Sequence, residues 1–142
     1  MEGEIPFVIF ASSAPHHALG CTEPSASSAS FSVSLSPFKE SSDHQQWIFF
    51  HNGVLNALYS LAITCELREG GSVLAETYKG EGNQILYYEE NTEMLIVGDF
   101  VLERESGGSR VFLSFCSGKE EQRWQLVPAP FAQEHAAKVF SS

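Results

Sequence analysis

Three short stretches of this chain are nearly the same. "HQQW" places Gln45 two residues before Trp47, "NQIL" places Gln84 two before Leu86, and "EQRW" places Gln122 two before Trp124. Successive glutamines are 39 and 38 residues apart. The segments leading into them, "VSLSPFKESSDHQQW", "VLAETYKGEGNQIL" and "VFLSFCSGKEEQRW", align as well. They bring together Val33, Val73 and Val111, then Leu35, Ala75 and Leu113, then Phe38, Tyr78 and Cys116, with one extra residue in the first copy. A period of about 39 residues, repeated three times across residues 5–128, limits the fold more than any local pattern does. A unit that small cannot bury its apolar face alone, so copies must share a core.

Inside each repeat the pattern is extended. "FSVSL" alternates at Phe31, Val33 and Leu35, and "LAITCEL" at Leu61, Ile63, Cys65 and Leu67, the period-2 signature of a half-buried strand. "PFVIF", "WIFF", "ILYY", "MLIV", "FVLE" and "VFLSF" are brief runs of β-branched and aromatic residues. Turn chemistry separates them at "HNG", "EGG", "EGN" and "SGG". Gly98-Asp99, between two apolar runs, reads as a two-residue hairpin turn in which glycine takes a positive φ. About four strands per repeat, twelve in all, are expected of this all-β chain. The repeats run over about 5–50, 51–90 and 91–128 of a single domain spanning 1–142. The serine-rich segment 22–32 reads as a polar loop. The tail 129–142 ends in "FAQEHAAKVF", either a short amphipathic helix packing through Phe131, Val139 and Phe140 or a frayed end.

Around a shared three-fold axis, Trp47, Leu86 and Trp124 would point inward at equivalent places. Gln45, Gln84 and Gln122, two residues earlier, would lie on the same face of a strand. There a primary amide both donates to and accepts from loop backbone that would otherwise be buried unpaired.

Composition mostly excludes. Eighteen acids against eight bases give a net charge of −10, a poor match to nucleic acid or to an anionic membrane. No stretch approaches the roughly 20 apolar residues of a membrane-spanning helix. The start, "MEGEIPFVIF", is acidic where a signal peptide is basic, so a cytoplasmic protein is expected, or one released without such a peptide. Cys21, Cys65 and Cys116 are too few and too scattered for a disulfide framework and read as buried, inert thiols, although a bridge is the other reading. No catalytic motif is present, and His16, His17, His44, His51 and His135 lack metal-ligand spacing. The chain is read as a binding protein, not an enzyme, with no cofactor or metal.

The triple Q-x-W at this spacing resembles the ricin-B-type, or R-type, lectin family over residues 5–128. The resemblance implies a β-trefoil: a six-stranded barrel closed by three hairpins. It also implies up to three shallow sites for galactose, N-acetylgalactosamine or other glycans. Family sites combine an early Asp, an aromatic platform and a polar residue just before the glutamine. A carboxylate accepts from paired hydroxyls, a ring covers the sugar's C–H face and an amide fixes orientation. The polar position falls on His44, Asn83 and Glu121, with Lys79 at a basic position, and Asp99 stands where the third repeat would have its Asp. The platform position falls on Ser36, Glu76 and Ser114, none of them aromatic, so each set is partial. Phe38, Tyr78 and Cys116 fall where the family often has a core cysteine and are expected to be buried. The first repeat also resembles, in part, the histidine-built sites of mussel-type β-trefoil lectins, through His17, Gly20, Asp43 and His44. The other reading of those residues puts His16 and His17 in a polar hairpin and Asp43-His44 in a loop. The expected partners are glycans or glycoproteins, bound by a homodimer or other homo-oligomer if few sites work. The alternative is a protein-interaction module or protease inhibitor on the same scaffold, acting through the 22–32 loop.

Overall fold

The computed structural model describes residues 5–24, 30–40 and 42–141, the last three by backbone alone. Among the described residues there are twelve strands, three 3-10 turns and one α-helix. The first repeat holds β1 (Phe7–Ala11), β2 (Ala14–Thr22), β3 (Phe31–Pro37) and β4 (Trp47–Phe50). The second holds β5 (Gly53–Asn56), β6 (Ala62–Cys65), β7 (Val73–Glu76) and β8 (Tyr87–Glu89). The third holds β9 (Met94–Val97), β10 (Phe100–Arg104), β11 (Val111–Ser114) and β12 (Trp124–Pro128), and α1 (Ala129–Ser141) follows. Four strands per repeat is the expected count.

The first and last strands of each repeat form a closed wall. β1 pairs with β12 and, at Phe7↔Trp47, with β4; β4 pairs with β5 and β8 with β9. Two hydrogen bonds complete the ring: Leu86 N–H donates to Asn52 C=O at 3.0 Å, and Trp124 N–H to Glu93 C=O at 2.7 Å. The inner strands of each repeat form hairpins, β2–β3, β6–β7 and β10–β11. The hairpins meet one another at Phe31↔Ala75, Ser34↔Arg110 and Ser72↔Phe112, which caps one end of the wall.

The aligned valines explain the core. Val33, Val73 and Val111 are each 4 % exposed or less, with Leu35, Ala75 and Leu113 one inward step further along the same strands. Trp47 and Trp124 are fully buried and Leu86 nearly so, all in the one shared cluster. The indole Nε1 of Trp47 donates to Leu19 C=O at 3.0 Å, and that of Trp124 to Leu102 C=O at 3.1 Å. Leu19 faces Leu35 and Leu102 faces Leu113, so the two acceptors are equivalent. The expected turn at Gly98-Asp99 joins β9 to β10, with Gly98 at φ +59°.

Four details differ from the sequence reading. β6 is buried on both faces, Ala62 and Thr64 included, while Leu67 is exposed beyond its end. His16 and His17 lie within β2, and the β1–β2 turn is made by Ser12-Ser13. The tail forms a helix that packs through Ala132 and Ala136 and leaves Phe131 exposed, while the expected packing of Val139 and Phe140 lies outside the described side chains. Small residues let α1 lie close to Val8, Phe10 and Ala18, with the His135 ring 4.6 Å from that of Phe10. Of the expected 22–32 loop, residues 25–29 lie outside the described residues; Thr22 ends β2 and Phe31 begins β3.

Candidate functional site

Each glutamine ends a single 3-10 turn, Asp43–Gln45, Gly82–Gln84 or Glu120–Gln122, and is not on the strand with its apolar partner. The turn tucks the side chain beneath the loop that leaves the hairpin, and its hydrogen bonds repeat. Gln45 Nε2 donates to Pro37 C=O at 3.1 Å, Gln84 Nε2 to Thr77 C=O at 2.9 Å, and Gln122 Nε2 to Phe115 C=O at 2.9 Å. Each acceptor stands four residues after the repeat's aligned valine. Each Oε1 accepts from backbone six residues after that valine: Lys39 N–H at 2.9 Å, Lys79 N–H at 2.6 Å and Ser117 N–H at 2.9 Å. All three amides are at least 98 % buried. They pin the loop that a ligand would meet.

The residue before each glutamine, His44, Asn83 or Glu121, is partly exposed at the middle of its turn, as its place in the repeat predicts. In the first repeat, His44 Nδ1 and Ser42 Oγ hydrogen-bond at 2.6 Å. The His44 ring also rests on Gly20, where an added Cβ would lie 2.9 Å from Cδ2. Asn56, from the next repeat, donates to His44 C=O at 2.8 Å. Gly20 and His44 thus come together, whereas Asp43 is exposed and His17 lies further back on β2, opposite Pro37, with Nδ1 buried. In the second repeat Glu76 ends β7 and Lys79 follows on the loop that Gln84 closes, both exposed. In the third repeat Asp99 is exposed at the β9–β10 turn, and the carboxylate that meets the buried glutamine belongs to Glu103.

Glu103 was not singled out in the sequence. It is 7 % exposed, accepts from Gln122 Nε2 at 2.9 Å and from Lys119 Nζ at 3.1 Å. Burial acts to raise its pKa, but the hydrogen bonds from Gln122 and Lys119 and the ammonium charge outweigh it and hold the carboxyl below its ordinary value. Its cross-strand partner is Phe112, which makes it equivalent to Thr64, opposite Leu74, and to Gly20, opposite Ser34. One position beneath the glutamine therefore carries a carboxylate, a hydroxyl or nothing, and where it carries nothing the His44 ring fills the space. The only signal for this in the sequence was an acid inside the apolar run "FVLER".

The platform positions hold no ring and are partly occupied. Ser36 Oγ accepts from Gln45 Nε2 at 3.0 Å, and Ser114 is buried with its hydroxyl donating to Glu69 at 3.2 Å. Tyr78 is half-buried over Gly53, its ring stacked on His51 at 6.3 Å, and Phe38 is half-buried against Phe10. Cys116, expected to be buried, is exposed, with Sγ 3.3 Å from Met94 Sδ. β11 ends at Ser114, Gln122 holds the Phe115 carbonyl, and the next side chain turns outward. Among the described residues no three His, Cys, Asp or Glu side chains gather as metal ligands.

No protein-family model matches the chain, and no curated protein sequence matches it. Solved structures do. A designed three-fold symmetric protein, ThreeFoil, matches with a TM-score of 0.71 at 22 % identity over 89 % of this chain and 99 % of its own. A β-trefoil lectin of the Vibrio vulnificus hemolysin/cytolysin, solved with N-acetyl-D-lactosamine bound, gives 0.73 at 15 % identity over 89 % and 96 %. The fold is a β-trefoil. A non-toxic homologue of type II RIPs from Momordica charantia, in complex with α-methyl-D-galactoside, gives 0.73 at 14 % identity; the β-trefoil covers 87 % of this chain and 48 % of that one.

Proposed function

We propose that this β-trefoil is a lectin-like binding protein of ricin-B type that takes glycans in shallow sites beside its three 3-10 turns. The observation that carries the reading is the equivalent placement of His44, Asn83 and Glu121, each partly exposed next to a buried glutamine that immobilises the surrounding loop. A polar group held by a satisfied amide has lost little freedom when a hydroxyl arrives, which is what a weak, shallow site requires. Two of the structural neighbours were solved with galactose-containing ligands, and galactosyl or N-acetylgalactosaminyl glycans are the first class to test. Single sites of this kind bind weakly, so multivalency from several repeats or from a homo-oligomer would supply useful avidity. A glycan array on the purified chain, followed by titration of the best ligand, is the test. Asn83→Ala and His44→Ala should each weaken sugar binding at their own repeat. An array silent across galactosyl, fucosyl and mannosyl glycans at high protein concentration would end the reading.

A second reading is favoured by the platform positions: Ser36 is spent on Gln45 and Ser114 is buried, so neither repeat offers a ring for a sugar to stack on. A protein-interaction module or protease inhibitor needs no such platform. Inhibition of papain-like or trypsin-like proteases, unaffected by Asn83→Ala, would decide for it.

A further inference from the structure

Away from the three turns, a groove of about 580 Å³ opens between β1, the β4–β5 turn, the start of β8 and β12. Phe7, Phe49, Leu86, Tyr87 and Leu126 form its walls, and Glu90 stands at its edge. Leu86 is the residue that replaces tryptophan in the second repeat, so the groove lies beside the one repeat without an indole. Three of the eight large hydrophobic side chains exposed on the described surface, Ile5, Phe49 and Tyr87, line this one opening. Phe49 is stacked on Phe7 at 4.6 Å, which fixes its face toward the groove's wall. Volume and lining match a small-molecule site, which is mostly apolar with a few polar groups.

Charge narrows the occupant. β8 ends in Glu89, and the turn after it carries Glu90 and Glu93. Thr92 donates twice to Glu89 at 2.8 Å, once from its N–H and once from Oγ1, and holds that carboxylate ionised at neutral pH. The ring of Tyr88 lines the groove while its hydroxyl donates to Trp124 C=O at 2.7 Å; burial and then the nearby charges of Glu93, Glu90 and Glu89 push that hydroxyl up to about 12, and these carboxylates make this edge negative. Anionic amphiphiles are repelled here. A second copy of the chain would set another net charge of −10 and the same acidic turn against this one across a two-fold contact.

We propose that this groove binds a small organic cation with an aromatic or aliphatic body, an aryl- or alkylammonium compound. Its body packs between Phe49 and Tyr87 and its ammonium faces Glu90 and the electron-rich ring faces.

The test titrates the full chain calorimetrically at low salt with three probes of similar shape: phenethylammonium, 2-phenylethanol and 3-phenylpropionate. The ammonium compound should bind about tenfold more tightly than the alcohol, the scale of a cation over aromatic rings with a carboxylate nearby, and the carboxylate compound more weakly still. Glu90→Gln should shrink the preference for the cation while leaving the alcohol unchanged. Tyr87→Ala should weaken all three, and because both residues are exposed the variants keep the fold, as circular dichroism would verify. Equal affinities for cation and alcohol overturn the proposal, as does a preference that survives Glu90→Gln or the absence of heat from every probe. Two further results overturn it by naming another occupant: self-association in sedimentation velocity that Tyr87→Ala abolishes, or a methyl galactoside that binds and is lost in Tyr87→Ala. Apart from the galactoside result, which would move a sugar site from the turns to the groove, none of these outcomes touches the reading of the three turns, which Asn83→Ala and His44→Ala test separately.

Discussion

Replacing Gln84 by leucine isolates what the buried amide contributes, because the volume is nearly kept while every hydrogen bond goes. The amide accepts from Lys79 N–H at 2.6 Å and donates to Thr64 Oγ1 and Thr77 C=O, each at 2.9 Å. In the variant the Thr64 hydroxyl keeps its bond to Ala62 C=O at 3.0 Å. Lys79 and Thr77 sit on an exposed loop, so water can replace part of what they lose. One stranded buried group costs about 1–3 kcal/mol and a lost net hydrogen bond about 1, which puts the variant about 2–3 kcal/mol below the parent. The same change at Gln122 should cost about 1 kcal/mol more, because the acceptor it abandons is a carboxylate, Glu103, that is 7 % exposed. Urea unfolding followed by circular dichroism and tryptophan fluorescence reads both, as a midpoint lowered by about 1–2 M at unchanged slope. If Gln84→Leu stays within about 0.5 kcal/mol of the parent, the amides do not anchor the loops and the account of the repeat fails. It also fails if Gln122→Leu is no worse than Gln84→Leu.

Glu103 makes the fold acid-sensitive: a carboxyl held below its ordinary value of 4.5 stabilises the protein above that pH and loses the contribution as pH falls toward the folded value. The stability gap between the parent and Glu103→Gln should therefore narrow between pH 7 and pH 3.5 in chemical denaturation. Burial pushes the Cys21 thiol to about 11 and Cys65 to about 12, while Cys116 is exposed. A thiol reagent at pH 8 should thus show one fast reaction that Cys116→Ser removes, and three reactions in urea. Gly20→Ala drives a Cβ to 2.9 Å from a His44 ring that Ser42 holds in place, and should destabilise by about 1–2 kcal/mol. Adding His44→Ala should recover most of that loss, and a purely additive double variant would contradict the packing.

The repeat was readable because it is written in residues whose burial leaves few choices. Val33, Val73 and Val111 fall on the inner face of equivalent hairpin strands, and the two indoles and Leu86 meet in one cluster. What escaped notice depends on local geometry that a period cannot convey. The sequence pattern puts the glutamines on strands because i and i+2 share a face there, but a 3-10 turn also turns residue i inward, with its last residue, just before the C-cap, buried. Cys116 was expected inside because its aligned partners are Phe38 and Tyr78, yet those rings are only half-buried, so the alignment carried position and not depth. The groove beside Leu86 draws on residues from β1 to β12, and only the closing of the wall brings them together.

The same geometry explains why the fold could be read with more confidence than the ligand. Each glutamine amide is spent on the scaffold, with Nε2 on the equivalent loop carbonyl and a second acceptor, Ser36, Thr64 or Glu103, and Oε1 on the equivalent loop N–H, so an apolar residue there would strand buried groups. The residue just before it is partly exposed, and the fold accepts histidine, asparagine or glutamate at equivalent places. Selection for folding therefore acts on one position and selection for a ligand on its neighbour. On the proposed lectin reading, sugar chemistry could change at Asn83 and Glu121 without removing a hydrogen bond of the amide that holds each loop. It follows that alanine at Asn83 or Glu121 should leave the unfolding midpoint nearly where it was, whereas His44→Ala, which gives up the contact with Gly20 and the bond to Ser42, should lower it, and a change at any of the three glutamines should lower it further.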